Sequence, residues 1–362
     1  MRSGNRDKGA SLAMKKVLVI NCGSSSIKYK SFIMPQAKVI AQGLIEKIGE
    51  KGSKIANHHQ GVELVLSRVD GIDVVGHRVV HGGEKFKEPA LINEQTIKNI
   101  RQCIQLAPLH NPANLEGILA CKRLLSSVPQ VAVFDTAFYQ SLPDYSYIYA
   151  IPYEYYEKFR IRRYGFHGTS HEYVAHEAAR ILKKPLSRLK IITCHLGNGC
   201  SITAIDKGKP VDTSMGFTPL EGLVMGTRCG DIDPALVTYI MQNQGKSIHE
   251  IDNILNKESG LKGISGLSND MRAVEKASVS NKRCRLAIQV FIHRIKKYIG
   301  AYAAIMGGAD AVVFTAGIGE HQADVRAEIC RDALSYFKKK PRVLVIPTNE
   351  ELMIARQADK II

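Results

Sequence analysis

The chain reads as an α/β protein made of two related lobes with an active-site cleft between them. Two observations predict this. Apolar strand-like runs alternate with segments of helical period along most of the 362 residues, the pattern of sheets covered by helices. A weak internal echo also pairs Gly23-Ser24-Ser25-Ser26-Ile27 with Asn198-Gly199-Cys200-Ser201-Ile202, each after one apolar run and before another. A strand–turn–strand unit used twice implies two domains of one design.

Residues 1–13 are polar, bear glycine and lack an apolar stretch, so they read as a disordered leader rather than a secretory signal. The folded part then starts at Met14. Val17–Ile20 and Ile27–Phe32 flank a Gly/Ser turn and read as a hairpin, with Lys28 and Lys30 interleaved in its second strand. Further strands are expected at Val74–Val80, Val131–Phe134, Leu189–Cys194, Ala311–Thr315 and Val343–Ile346. Helices are expected at Asn114–Leu125, His171–Leu182, Asp233–Met241 and Asn281–Met306. The Pro/Tyr-rich stretch Pro143–Tyr156 keeps neither period and marks the boundary. That gives an N-terminal lobe at 14–150 and a C-terminal lobe at 151–349, with 350–362 packing back on the first.

Hydrophobic residues make up 45% and charged residues 23%, which suits a soluble globular chain. Lys and Arg exceed Asp and Glu by 50 to 34, a net charge of +16 that raises a nucleic-acid partner. These cations are scattered rather than clustered and no nucleic-acid module is present, so that partner is set aside. No apolar stretch reaches the roughly 18 residues of a membrane span, since Ala301–Gly319 is broken by Asp310 and by glycines. The eight cysteines form no C-x-x-C pair, which points to free thiols in a reducing cytoplasm.

The familiar nucleotide and hydrolase fingerprints are absent: no P-loop, no G-x-G-x-x-G and no G-x-S-x-G. His171-Glu172 opens like a zinc-protease helix, but the next histidine, His176, lies about 140° further round and cannot share a metal. Instead, glycine-rich turns follow apolar strands at Asn21–Ser26, His195–Gly199 and Gly317–Glu320. Such turns let backbone N–H groups converge on a phosphate. Lys28, beyond the first turn, is either a point charge for that phosphate or a solvated strand residue. Arg78 sits between two histidines ahead of Gly82-Gly83, and Arg228 between Gly226 and Gly230. Each fits a surface ion pair or a bidentate grip on carboxylate and phosphate. His167, between Phe166 and Gly168, fits a loop cap or a donor aimed at developing phosphoryl charge. Asp135 ends a strand, as a helix cap or as an active-site carboxylate.

Several segments together resemble the acetokinase family, within the sugar kinase, Hsp70 and actin superfamily. They are VLVINCGSSSIKYK (17–30), GHRVVHGG (76–83), LAPLHNP (106–112), VFDTAF (133–138), YGFHGTSH (164–171), CHLGNGCS (194–201), DTSMGFTPLEGLVMGTRCGDIDP (212–234), SGLSNDMR (265–272), TAGIGEH (315–321) and PTNEEL (347–352). The resemblance implies ribonuclease H-like, actin-like ATPase lobes. It implies magnesium-dependent, in-line and reversible phosphoryl transfer from ATP to acetate, giving ADP and acetyl phosphate, with manganese as a substitute metal. It implies a cytoplasmic homodimer that engages neither nucleic acid nor membrane.

Residue by residue, the resemblance gives Asn21 and Glu350 to the metal. Arg78 and Arg228 grip the acetate carboxylate and the migrating phosphoryl group, His167 stabilises the transition state, and Asp135 is the catalytic carboxylate. Lys28, His195, Leu196, Gly197, Asn198, Gly199, Asp270, Met271, Arg272, Gly317, Ile318, Gly319, Glu320 and His321 line the ATP site. Val80, Leu109, Phe166 and Pro219 wall the methyl pocket. The chemistry is coherent: phosphoryl transfer needs positioning and charge neutralisation, and magnesium takes a few oxygen ligands and keeps waters. Acetate is already ionised near neutral pH, so Asp135 is expected to orient groups rather than abstract a proton.

The chain departs from the family in three ways. Between the first hairpin and Gly76 it is shorter than usual, Tyr139 stands where histidine is common, and His321 replaces asparagine after the GIGE turn. Propionate kinase is the nearest alternative, since one methylene is worth only about 1–3 kcal/mol of discrimination. Val80 narrows the pocket in favour of acetate.

Overall fold

The structure, a computed structural model, describes residues 14–108, 110–335 and 337–362. Residues 1–13, expected as a leader, and Leu109, expected in the methyl pocket, lie outside the described residues. The chain divides into two compact units. The first comprises the chain up to Val79, Pro89–Val133 and Glu351–Ile362; the second comprises Val80–Glu88 and Phe134–Glu350. The Pro143–Tyr156 stretch lies inside the second unit, contains the short helix Asp144–Tyr147 and opens a second, Glu154–Phe159.

The first sheet contains β1 (Lys15–Cys22), β2 (Ile27–Met34), β3 (Lys38–Ile45), β4 (Val74–Val79), β5 (Ala90–Leu91) and β6 (Gln130–Phe134), in the order β3-β2-β1-β4-β6-β5. Val17, Leu18, Val19 and Ile20 of β1 are all fully buried, as the continuous apolar run of a central strand requires. β2 alternates instead: Ile27 and Tyr29 point into the core while Lys28 faces out. Leu18, Ile20, Ile27 and Val75 pack against helices His58–Leu66 and Asn111–Leu124 through Val62, Val65, Ala120 and Cys121. On the last helix, Glu350–Ile361, Ile354 and Ala358 lie against Gly76, where a Cβ would come within 2.9 Å of Ile354.

The second sheet contains β7 (Lys190–Leu196), β8 (Cys200–Asp206), β9 (Lys209–Thr213), β10 (Ala311–Thr315) and β11 (Arg342–Val345), in the order β11-β10-β7-β8-β9. Ile192, Cys194 and Leu196 face the long helix Lys282–Met306, while Ile191 faces the helix Gly168–Leu182. That is the period-two alternation of a sheet covered on both sides. The long helix is set by its ends. Asn281 accepts from the N–H groups of Arg283 and Cys284, and Gly307 closes it at a φ of 66°, a cap favourable to glycine.

The two sheets share one wiring. β1–β2–β3 and β7–β8–β9 are antiparallel meanders, and β4 and β10 lie parallel to β1 and β7. The echo between residues 23–27 and 198–202 therefore marks the same hairpin turn in each. One expectation needs correction. Gly317–Glu320 is not an open turn but part of a one-turn helix, Ala316–His321, entered through Ala316 at a φ of 64°. Among the described residues no helix is long and apolar enough to cross a membrane.

Candidate active site

His167 opens the helix Gly168–Leu182 in the left-handed region, at a φ of 58°. That conformation is costly for a residue with a Cβ, so its neighbours must hold it. The buried Tyr139 hydroxyl donates to the Phe166 carbonyl at 2.7 Å. The His167 ring stacks on His195 with centroids 4.2 Å apart, and its Nδ1 lies 2.9 Å from Ser201 Oγ. Gly168 permits the approach behind it, since a Cβ there would stand 2.0 Å from the Asp135 carbonyl oxygen.

Arg228 arrives from a loop seated on the β7–β8 turn. The Gly226 N–H donates to the Asn198 carbonyl at 2.9 Å, and a Cβ on Gly226 would strike the Asn198 side chain at 2.1 Å. Arg228 Nη1 reaches the Pro219 carbonyl at 3.4 Å. No carboxylate pairs with this half-buried guanidinium among the described residues, and burial pulls its pKa below the usual arginine value. A desolvated cation without an internal counter-ion is matched to an incoming anion. A Cβ on Gly199 would lie 3.5 Å from both Arg228 Nη1 and His167 Nε2, so the guanidinium and the imidazole meet over a bare glycine.

Asp135 is buried and accepts from Thr169 Oγ1 at 3.0 Å. It is not a helix cap, because the short helix Ala137–Ser141 has Thr136 at that position. Val80 and Phe166 belong to the buried cluster of the second unit, with His81 edge-on to Phe166. Pro219 is half-buried beside Arg228.

Within the same unit, a cavity of about 560 Å³ is lined by Gly197, Asn198, Asn269, Asp270, Met271, Arg272, Gly317, Ile318, His321 and Gln322. Its size suits a small-molecule ligand. Asp270 caps the helix Met271–Ala277 and holds Arg272 at 2.7 Å. Of the other residues expected to meet ATP, Leu196 points into the core and Gly319 packs behind β7. Glu320 accepts from the N–H groups of Ala316 at 2.8 Å and Thr348 at 3.2 Å, which makes it a brace for its own loop. His195 Nδ1 lies 2.8 Å from Ser170 Oγ.

In the first unit, Asn21 and Lys28 face each other across the β1–β2 ladder. Arg78 Nη1 donates to Asn21 Oδ1 at 3.4 Å, and Lys28 Nζ lies 2.6 Å from the buried carboxylate of Glu351. Glu350 begins the last helix. No group of three or more His, Cys, Asp or Glu able to hold a metal occurs among the described residues. The Asn21 amide and, in the second unit, the Glu350 carboxylate each offer an oxygen of the hard kind that magnesium accepts.

Sequence reasoning passed over Ser201, His171 and Thr193, which join His167 in one hydrogen-bonded chain. The spacing of His167 and His171, four apart at a helix start, was the available signal.

Comparison with known proteins fits this arrangement. The family model described as "Acetokinase family" matches residues 16–70 and 54–338. The acetate kinase of Halothermothrix orenii is 53% identical over 395 aligned positions, covering 96% of this chain and 99% of that protein. That alignment is longer than the chain's 362 residues, so the relative has segments that this chain lacks, and the family match breaks ahead of Gly76. The crystal structure of Porphyromonas gingivalis acetate kinase superposes with a TM-score of 0.90 at 44% identity, covering 96% of this chain and 99% of that one. A propionate kinase from Francisella tularensis gives 0.90 at 43%, covering 96% and 100%. With two sheets of one wiring, His167 and Arg228 converging over Gly199, and a family match spanning most of its length, the chain belongs to the acetokinase family.

Proposed function

We propose that the chain is an acetate kinase, catalysing reversible phosphoryl transfer from ATP to acetate to give acetyl phosphate and ADP. One observation carries the chemistry. Arg228 has no carboxylate partner among the described residues and meets His167 over Gly199, as a site that neutralises a migrating phosphoryl group requires. The acetate kinase names of its near full-length relatives supply the acceptor.

In this reading Arg228 binds the phosphoryl group and Arg78 the acetate carboxylate, each by two N–H donors. His167 donates to an equatorial oxygen as charge builds. Asp135 orients its neighbours through Thr169. Acetate needs no base, so no proton leaves it. The 560 Å³ cavity takes the nucleotide, with Gly197 and Asn198 toward the phosphates and Ile318 and His321 toward the base. Asn21 and Glu350 would hold magnesium, which would supply charge neutralisation on the phosphates when bound. The reading includes a cytoplasmic homodimer with small-molecule partners only.

Val80, buried in the same cluster as Phe166, favours acetate over the longer propionate. Comparing kcat/KM for the two acids with ATP and magnesium tests the assignment. Acetate is expected to lead by about tenfold, within the reach of one methylene; a lead for propionate would make the chain a propionate kinase instead.

A further inference from the structure

We propose that Ser201 and His171 are positioning residues for His167 that fix its proton on Nε2, an inference resting on the transition-state role given to His167 above. The side chains form an unbroken series with Thr193. Thr193 Oγ1 lies 2.7 Å from His171 Nδ1, His171 Nε2 lies 2.7 Å from Ser201 Oγ, and Ser201 Oγ lies 2.9 Å from His167 Nδ1. A hydroxyl has one proton to give, and a neutral imidazole has one donor and one acceptor nitrogen. Among the described residues Ser201 Oγ meets only these two rings, so its single proton goes to one of them, and the series runs in one direction or the other.

Bond length selects the direction. Were His171 to donate from Nδ1, Thr193 would have to place its own proton on its other contact, the Thr203 carbonyl at 3.4 Å. That is well beyond the usual O–H···O separation of about 2.8 Å. The 2.7 Å contact to His171 is a full hydrogen bond. Thr193 therefore donates to His171 Nδ1, His171 donates from Nε2 to Ser201, and Ser201 donates to His167 Nδ1. Burial keeps His171 neutral, so it does not donate on both sides.

Neutral His167 is left with its proton on Nε2. This is the nitrogen that would lie 3.5 Å from a Cβ on Gly199, the point that Arg228 Nη1 also reaches at 3.5 Å. A donor thus stands ready where phosphoryl charge develops, without His167 having to take up a proton first. Stacking on His195 and the left-handed backbone oppose a ring flip that would exchange the nitrogens' places. Ser201 lies at the start of β8 and His171 one turn into the helix Gly168–Leu182, so two regular elements hold the ring.

The test combines kinetics with ring-nitrogen NMR on the full-length protein. Ser201→Ala is expected to lower kcat about tenfold while changing KM for acetate by less than about twofold, and Ser201→Thr, which keeps the hydroxyl, restores most of it. His171→Gln, with an amide N–H in place of Nε2–H, is expected to exceed His171→Leu in kcat. Long-range 1H–15N spectra of ring-labelled protein are expected to show His167 bare at Nδ1 in the wild type and mixed in Ser201→Ala. A wild-type His167 protonated on Nδ1 overturns the proposal, as does full kcat in Ser201→Ala alongside an inactive His167→Ala. Full activity in His167→Ala overturns the catalytic reading of His167 itself, and the relay's role with it.

Discussion

Gly199 has no side chain, and its bare position is where Arg228 and His167 come together. A methyl group there would sit at ordinary contact distance, 3.5 Å from both donors, so Gly199→Ala is expected to fold normally. It would also fill the volume assigned to the phosphoryl group. We expect a kcat reduced at least about tenfold with Tm within about 2 °C of wild type; unchanged turnover would remove the phosphoryl group from this point. Arg228→Ala takes away a preorganised donor to developing charge and should lower kcat by about 10²–10³-fold, read in a coupled ATP assay. Tyr139 is a different matter, because it acts on backbone. Tyr139→Phe leaves the buried Phe166 carbonyl without its 2.7 Å donor, at a cost of about 1–3 kcal/mol. Denaturant titration should show that loss together with a several-fold drop in kcat, as the His167 turn loosens. These residues were unequally legible beforehand. Arginines among glycines and a histidine beside glycine announce themselves in the sequence. Ser201 and Thr193 do not, since a strand serine or threonine looks the same whether it relays a proton or fills a core.

At the scale of elements, the helix Gly168–Leu182 and the β7–β8 hairpin do the positioning. Gly168 lets the helix start against the Asp135 carbonyl, and a Cβ there would overlap it at 2.0 Å. Gly168→Ala should therefore destabilise the protein by at least about 3 kcal/mol, measured by denaturant unfolding; a neutral effect would contradict this packing. Strands with continuous apolar runs, such as β1 and β10, could be read directly because burial on both faces leaves a simple pattern. β3 was missed because it is largely exposed, and the helix His58–Leu66 because one His-rich turn hides its short apolar face. Glycine makes Gly317–Glu320 look like an open turn, whereas it lies in a short helix whose first N–H, that of Ala316, is satisfied by the Glu320 carboxylate.

For the whole molecule, buried histidines set an acid limit on stability. Burial lowers His77 to about 4 and His81 to about 3, the latter aided by the Arg162 charge, and holds His171 well below its ordinary value. All three are neutral in the folded protein, while the unfolded chain protonates them below about pH 6.5. Their contribution is intact above that pH and falls as pH drops toward 4, because the unfolded state then binds more protons. Tm should decline steadily from pH 7 to pH 5, and a flat profile would contradict the assigned burial. The duplicated wiring of the two sheets was foreshadowed by the short echo around residues 23–27 and 198–202. The exact points where the chain passes between units were not, because Val80–Glu88 joins the second unit through packing of Phe86 on Phe134, which no local pattern reveals.

The central claim is that this chain phosphorylates a small carboxylate. Trapping the acyl phosphate with hydroxylamine, using purified protein, ATP and acetate with and without magnesium, tests it most directly. The account predicts acetyl hydroxamate in the presence of magnesium, its loss when the metal is removed, and at least about 10²-fold less from Arg228→Ala. No hydroxamate from acetate, propionate or butyrate would contradict it.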